Sequence, residues 1–369
     1  MVAVMADAPI DATARGAALA ERLFQATLNT WDIATVYLGH RLSLYRALSD
    51  VEPATSSELA AATGLTERYL REWLEQQAVA GILECENPDA QPLDRRFAIP
   101  LGHAAVLVDS DDPSFLAPLA QITMGALYPI QALLAAFRTG AGVPYADYGL
   151  DLRTGQAEMN RNLFLQQLGS EYLPAIPALH DRLLADPPAR VADIGCGVGW
   201  SSVGIAQAYP NVRVDGFDLD AASVAEAQDV IRAAGVSDRV EVHLRDAADP
   251  ALAGHYDLVT AFECVHDMSD PIGALRTMRR LATSDGTVLV MDERVADAFD
   301  PAAGDVERFM YGFSVLHCLP VGLEDQPSAA TGTVMRADTL RAYATVAGFG
   351  AVEVLPLEHP FFRFYRLFG

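Results

Sequence analysis

The sequence predicts an α/β protein in two parts: a mainly α, winged-helix-like segment over residues 1–185 and an alternating strand/helix segment over 186–369. Three observations carry this. After Arg190, five apolar strand patterns alternate with helical ones, the βαβ order that gives a parallel sheet. Two more strand patterns end the chain, joined only by the Glu358–Pro360 turn, so they form an antiparallel pair at one edge. Before Asp186 the apolar residues recur mostly at helical spacing. The DPPAR stretch, Asp186–Arg190, divides the two parts.

In order along the chain, Ala17–Leu48 reads as one helix, with Leu19, Leu23, Phe24, Trp31 and Leu38 on its apolar positions. Thr55 and Glu58 have capping-box spacing and open a short helix that Gly64 ends. Thr66 caps a second helix carrying Leu70, Trp73 and Leu74. Ile82–Leu83 and Phe97–Ile99 then pair as a wing. Residues 114–180 are helical again, broken by TGAGVPYADYG. The strands follow as Arg190–Ile194, Arg213–Asp218, Val240–Arg245, Tyr256–Phe262, Thr287–Asp292, Val352–Leu357 and Phe362–Leu367.

The formal net charge is −23, with 11 Arg against 21 acids in residues 1–180 and 15 against 28 in the rest; there is no Lys. Neutralising phosphates takes clustered cations, so a nucleic-acid partner is not expected. The candidate recognition helix sets Arg68 and Arg71 against Glu67, Glu72 and Glu75. No apolar run approaches the ~20 residues a bilayer span needs, and no secretory signal is visible, so a cytoplasmic protein without membrane partners is expected. The four cysteines form no CxxC pair, so neither a disulfide framework nor a metal site is implied.

The most specific motif is VADIGCGVGWSS. A buried strand runs into Gly195, Gly197 and Gly199, which let a ligand approach the backbone without Cβ clashes. Trp200 stands where a dinucleotide fingerprint needs its third glycine. Asp193, two residues before the first glycine, would repel pyrophosphate and suits an ammonium. At the ends of the next strands stand Asp218 with Leu219, then Asp246 with Ala247, then Phe262 and Glu263.

These motifs, in this order, resemble the class I S-adenosylmethionine-dependent methyltransferases, whose Rossmann-like sheet has seven strands with a reversed last one. The resemblance implies S-adenosyl-L-methionine as cofactor. Asp193, Gly195, Cys196, Gly197, Asp218, Leu219, Asp246, Ala247 and Phe262 are then its binding residues, Asp218 on the ribose and Asp246 on the adenine amine. The HDMSD segment, His266–Asp270, is similar to the HDWSD of small-molecule O-methyltransferases that carry an N-terminal winged-helix dimerisation domain; Met268 departs from their Trp. In that family the histidine is the general base, so His266 is the candidate base for a hydroxyl acceptor, supported by Asp292 or Glu293, and a homodimer is expected. An acceptor at N, S or C, methylated by positioning alone, stays open, as does a cofactor-sensing regulator. Asp270–Pro271 also reads as a helix cap, which gives His266 a purely structural alternative. Tyr311, Ser314, His317 and Cys318, with Met124, Tyr128, Met159 and Phe164, are candidate acceptor-pocket residues beside a packing role.

Overall fold

The computed structural model describes residues 12–369. It divides into two compact units, one ending at Thr123 and the other running from Met124 to Gly369. The expected boundary near Asp186 is therefore too late as a packing boundary: the helices between 124 and 185 pack with the sheet.

The first unit holds α1 (Ala12–Arg41), α2 (Leu44–Val51), α3 (Ser56–Thr63), α4 (Glu67–Val79), β1 (Glu84–Cys85), β2 (Phe97–Ala98) and α5 (His103–Leu107). The single helix expected over Ala17–Leu48 is two. Ser43, at φ 55, breaks it, and α2 then turns Leu44, Tyr45 and Leu48 into a core with Leu59, Trp73 and Leu74. Leu19, Leu23, Phe24, Trp31 and Leu38 of α1 stay exposed. The capping box forms: Glu58 N donates to Thr55 Oγ1 at 3.2 Å and Thr55 N to Glu58 Oε2 at 2.8 Å. Thr66 occupies the N-cap of α4 without a side-chain cap bond. The wing pairs Glu84–Cys85, not Ile82–Leu83, with Phe97–Ala98, because Leu83 is drawn into the core.

The chain continues through α6 (Ala117–Leu127), α7 (Ile130–Thr139) and α8 (Gly149–Asn162), which runs on as a π-helical turn to Tyr172, and α9 (Pro177–Leu184). Then come β3 (Arg190–Ile194), α10 (Trp200–Ala208), β4 (Arg213–Asp218), α11 (Ala221–Ala233), β5 (Val240–Leu244), β6 (Tyr256–Phe262), α12 (Pro271–Leu281) and β7 (Ala282–Glu293). Helices α13 (Asp305–Phe313), α14 (Leu319–Gly322) and α15 (Ala337–Ala347) precede β8 (Ala351–Val354) and β9 (Phe362–Phe368).

The seven strands order as β5-β4-β3-β6-β7-β9-β8. β3, β4, β5, β6 and β7 run parallel, and β9 inserts antiparallel between β7 and β8. Order reverses at β3, so the crevice past the carboxyl ends of β3, β4 and β6 is where a ligand is expected. One helix contact fixes that crevice. A Cβ on Gly204 would lie 2.1 Å from the Phe164 carbonyl oxygen, so only glycine lets α10 seat against the π-helical turn carrying Phe164.

Candidate functional site

A cavity of about 600 Å³ opens at those strand ends, entirely within the second unit. Its floor is the glycine turn after β3. Gly195 and Gly197 sit at φ 65 and 53, left-handed backbone that favours glycine. Gly195 N and Cys196 N donate to the Phe217 carbonyl at 2.8 and 3.2 Å, tying the turn to β4. Asp218 accepts from Gly197 N and Asp220 N, both at 2.8 Å, which orients its carboxylate on the cavity wall. Burial pushes its pKa up while those two backbone bonds pull it down.

Of the residues expected at the cofactor, Gly195, Cys196, Gly197, Asp218, Leu219, Asp246, Ala247 and Phe262 all line this cavity. Asp193 does not. It is 1% exposed beneath the turn, where Ser201 Oγ, Ser202 Oγ and Thr260 Oγ1 donate to it at 2.6, 2.7 and 2.8 Å. Its role is to anchor the start of α10 to β3 and β6, not to meet an ammonium.

At the β6 end, Asp270 caps α12 through Gly273 N at 2.8 Å, with Pro271 in the first turn, as expected. That cap fixes the turn carrying His266. His266 Nδ1 lies 2.9 Å from Asp292 Oδ1 and 3.5 Å from Glu293 Oε2, so both acids reach the ring, Asp292 more closely. The other side of the ring meets the Cys318 thiol. Burial opposes a charged ring, but the carboxylates of Asp292 and Glu293 outweigh it and hold the His266 pKa well above the usual imidazole range. Burial also pushes Glu293 well up, against the pull of His266.

None of His266, Asp292 and Glu293 lines the cavity; they form a buried layer behind its wall. The wall in front of them is Glu263, Cys264 and Asp267. Glu263 has φ 55, rare for a residue with a side chain, held by its N–H to the Met291 carbonyl at 2.8 Å.

The acceptor-pocket candidates separate. Phe164 lines the cavity; Met124, Tyr128, Met159, Tyr311, Ser314, His317 and Cys318 do not. Tyr128 is exposed, and Tyr311 receives a bond from Arg336 at 3.1 Å. Ser314 to Cys318 form a π-helical turn that buries His317 against Tyr148, ring centroids 4.7 Å apart. Burial drops the His317 pKa to about 3. Tyr145 and Asn160, from before the sheet, and Glu324–Pro327, between β7 and β8, line the cavity without having been anticipated. For Tyr145 the glycine- and proline-bearing break was a usable signal; Glu324–Pro327 carried none.

This geometry defines the class I S-adenosylmethionine-dependent methyltransferase fold, joined to an N-terminal winged helix. More particularly, residues 192–288 match the family described as a methyltransferase domain and residues 33–109 the Rv2258c-like winged HTH domain. Ajmaline N-methyltransferase from Rauvolfia serpentina is 30% identical over 105 residues, 28% of this chain and 36% of that protein. Mitomycin biosynthesis 6-O-methyltransferase from Streptomyces lavendulae is 27% identical over 304 residues, 79% of this chain and 82% of that one. The solved structure of PigF with SAH superposes with a TM-score of 0.71 at 19% identity, covering 95% of this chain and 99% of that one, a likeness of fold. The chain spans between 5% and 36% of the length of the first three curated relatives it matches.

Proposed function

We propose that the protein transfers the methyl group of S-adenosylmethionine to a small-molecule acceptor, a hydroxyl of a secondary metabolite. The observation that carries this is the cavity in which the glycine turn, Asp218, Asp246 and Phe262 come together from four successive strand ends. The residues fit the cofactor. Gly195 and Gly197 leave room at the methionine end, Asp218 offers an oriented carboxylate to the ribose hydroxyls, and Asp246 with Ala247 stands at the adenine end. When bound, the cofactor supplies an electrophilic methyl on a sulfonium, so the protein's work is to align the acceptor and dispose of its proton. The buried group of His266, Asp292 and Glu293 is the proton-handling assembly, with Asp292 orienting the ring.

The same reading makes the protein a cytoplasmic homodimer without a nucleic-acid partner. Arg68 and Arg71 of α4 are engaged by Glu72 and Glu67, which leaves that helix poorly suited to phosphate. The exposed Leu19, Leu23 and Trp31 of α1 form an apolar stripe that a second copy would cover. Light scattering at micromolar concentration should give twice the chain mass; a strict monomer removes the dimer. For the activity, titration calorimetry should detect S-adenosylhomocysteine binding. Mass spectrometry over a panel of phenols, alcohols and amines should show a 14-dalton gain on a hydroxyl compound. Absence of cofactor binding would overturn the reading.

A further inference from the structure

Two carboxylates, Glu263 and Asp267, stand on the cavity wall in front of His266, and of the two Glu263 is the one with a buried, unpartnered oxygen among the described residues. Glu263 lines the cavity, whereas His266, Asp292 and Glu293 do not. Its Oε2 accepts from Asn160 Nδ2 at 3.3 Å, and Asn160 lines the cavity too. Its Oε1 is buried with no hydrogen-bond partner among the described residues. A buried acceptor left unpaired costs free energy, which a ligand donor would recover. The left-handed backbone at Glu263, closed by the bond to Met291, fixes the residue against the glycine turn: a Cβ on Gly195 would touch Cys264 Sγ, the next residue, at 2.6 Å. Glu263 is thus beside the methionine end of the cofactor residues, where an acceptor must meet the methyl group.

From this geometry we propose that Glu263 is the residue that contacts the acceptor and takes its proton, with Asn160 positioning the carboxylate and the His266–Asp292–Glu293 group tuning it from behind. The proposal rests on the methyl-transfer reading and deepens it, because it requires an acceptor with an O–H or N–H to present. In the step, the acceptor's O–H bond breaks as its oxygen forms a bond to the methyl carbon. The C–S bond breaks with its electron pair left on sulfur, and the proton goes to the Glu263 carboxylate.

The charged and titratable groups facing Glu263 are His266 from the turn after β6 and Asp292 and Glu293 from β7; α8 contributes the neutral Asn160. Burial raises the Glu263 pKa to about 7, a value suited to a base at neutral pH. A sulfonium placed against it favours the carboxylate form.

Two experiments on the full chain decide the matter. Calorimetry at pH 7 in buffers of different ionisation enthalpy should show proton release on binding S-adenosylmethionine, less on binding S-adenosylhomocysteine, which lacks the charge. Glu263→Gln should abolish that difference while both ligands still bind. With the hydroxyl compound that the acceptor panel turns over, Glu263→Gln should lower kcat by ~10²–10⁴-fold and remove the rising pH limb near neutrality. Glu263→Asp should restore part of both. Unchanged proton release in a folded, ligand-binding Glu263→Gln protein overturns the proposal, as does retained turnover. If no panel compound is methylated, the acceptor reading fails while the proton measurement still judges Glu263.

Discussion

At the β3–β5 end of the cavity the backbone does most of the holding. The turn from Gly195 to Gly199 is bonded to β4 through main-chain atoms, and one acid, Asp218, is oriented by two backbone N–H groups. At the β6–β7 end side chains do the work. Glu263, His266, Asp292 and Glu293 crowd together. Among the described residues Glu263 Oε1 and Asp292 Oδ2 are buried without a hydrogen-bond partner, while Glu293 Oε2 meets only the His266 ring at 3.5 Å. The first end is arranged to receive a ligand with little rearrangement. The second holds buried, unpaired acceptors next to a histidine, an arrangement whose charge state is sensitive to its surroundings.

The largest expected effect sharpens this contrast. His266→Gln should lower turnover by ~10²-fold or more, because it removes the only cation among these four groups, yet leave S-adenosylhomocysteine affinity within about twofold. The pH dependence has a defined sign. A ring whose folded pKa is raised stabilises the fold fully below its unfolded value of ~6.5, and that stability is lost as pH rises through the folded pKa. Thermal melts of the wild type should therefore fall across that alkaline window, and His266→Gln should flatten the fall. Loss of cofactor affinity together with turnover would erase the distinction between the two ends.

The same contrast explains what was legible in the sequence. The cofactor end is local: a strand, a glycine turn and an acid at each following strand end recur at fixed spacing, so Gly195, Gly197, Asp218 and Asp246 were readable one by one. Asp193 was misread because adjacency to the turn says nothing about direction. Two of its hydroxyl partners, Ser201 and Ser202, were visible nearby, but Thr260 comes from β6 across the sheet. The β6–β7 end is assembled from afar. His266 and Asp292 were legible as strand-end residues, whereas the Asn160 contact to Glu263 spans 103 positions, beyond any periodicity. Tyr311, Ser314 and Cys318 stand three and four positions apart, a spacing that shares one face of an α-helix, but the π-helical turn from Ser314 changes the phase. In the first unit, the break at Ser43 follows from packing Tyr45 against Trp73, ring centroids 5.3 Å apart, which local propensity does not reveal.

A smaller effect tests the cofactor end against itself. Asp218 and Asp246 have equivalent places on successive strands, but their surroundings differ. Asp218 is held by Gly197 N and Asp220 N in a buried position, so its carboxylate meets a ligand hydroxyl preorganised and away from water. Asp246 is exposed, and its Oδ1 receives Ala248 N at 2.8 Å, so a bond from an adenine amine there competes with solvent. Charge-assisted hydrogen bonds contribute ~1.5–3 kcal/mol and ordinary ones ~0.5–1.5. Asp218→Ala should therefore weaken S-adenosylhomocysteine binding by ~10- to 100-fold, and Asp246→Ala by ~10-fold or less. Calorimetry on both variants gives the ratio directly. Equal losses would mean that burial of Asp218 adds nothing and that the strand-end acids act as interchangeable charges. A larger loss at Asp246 would move the main anchoring of the cofactor from the ribose to the adenine end.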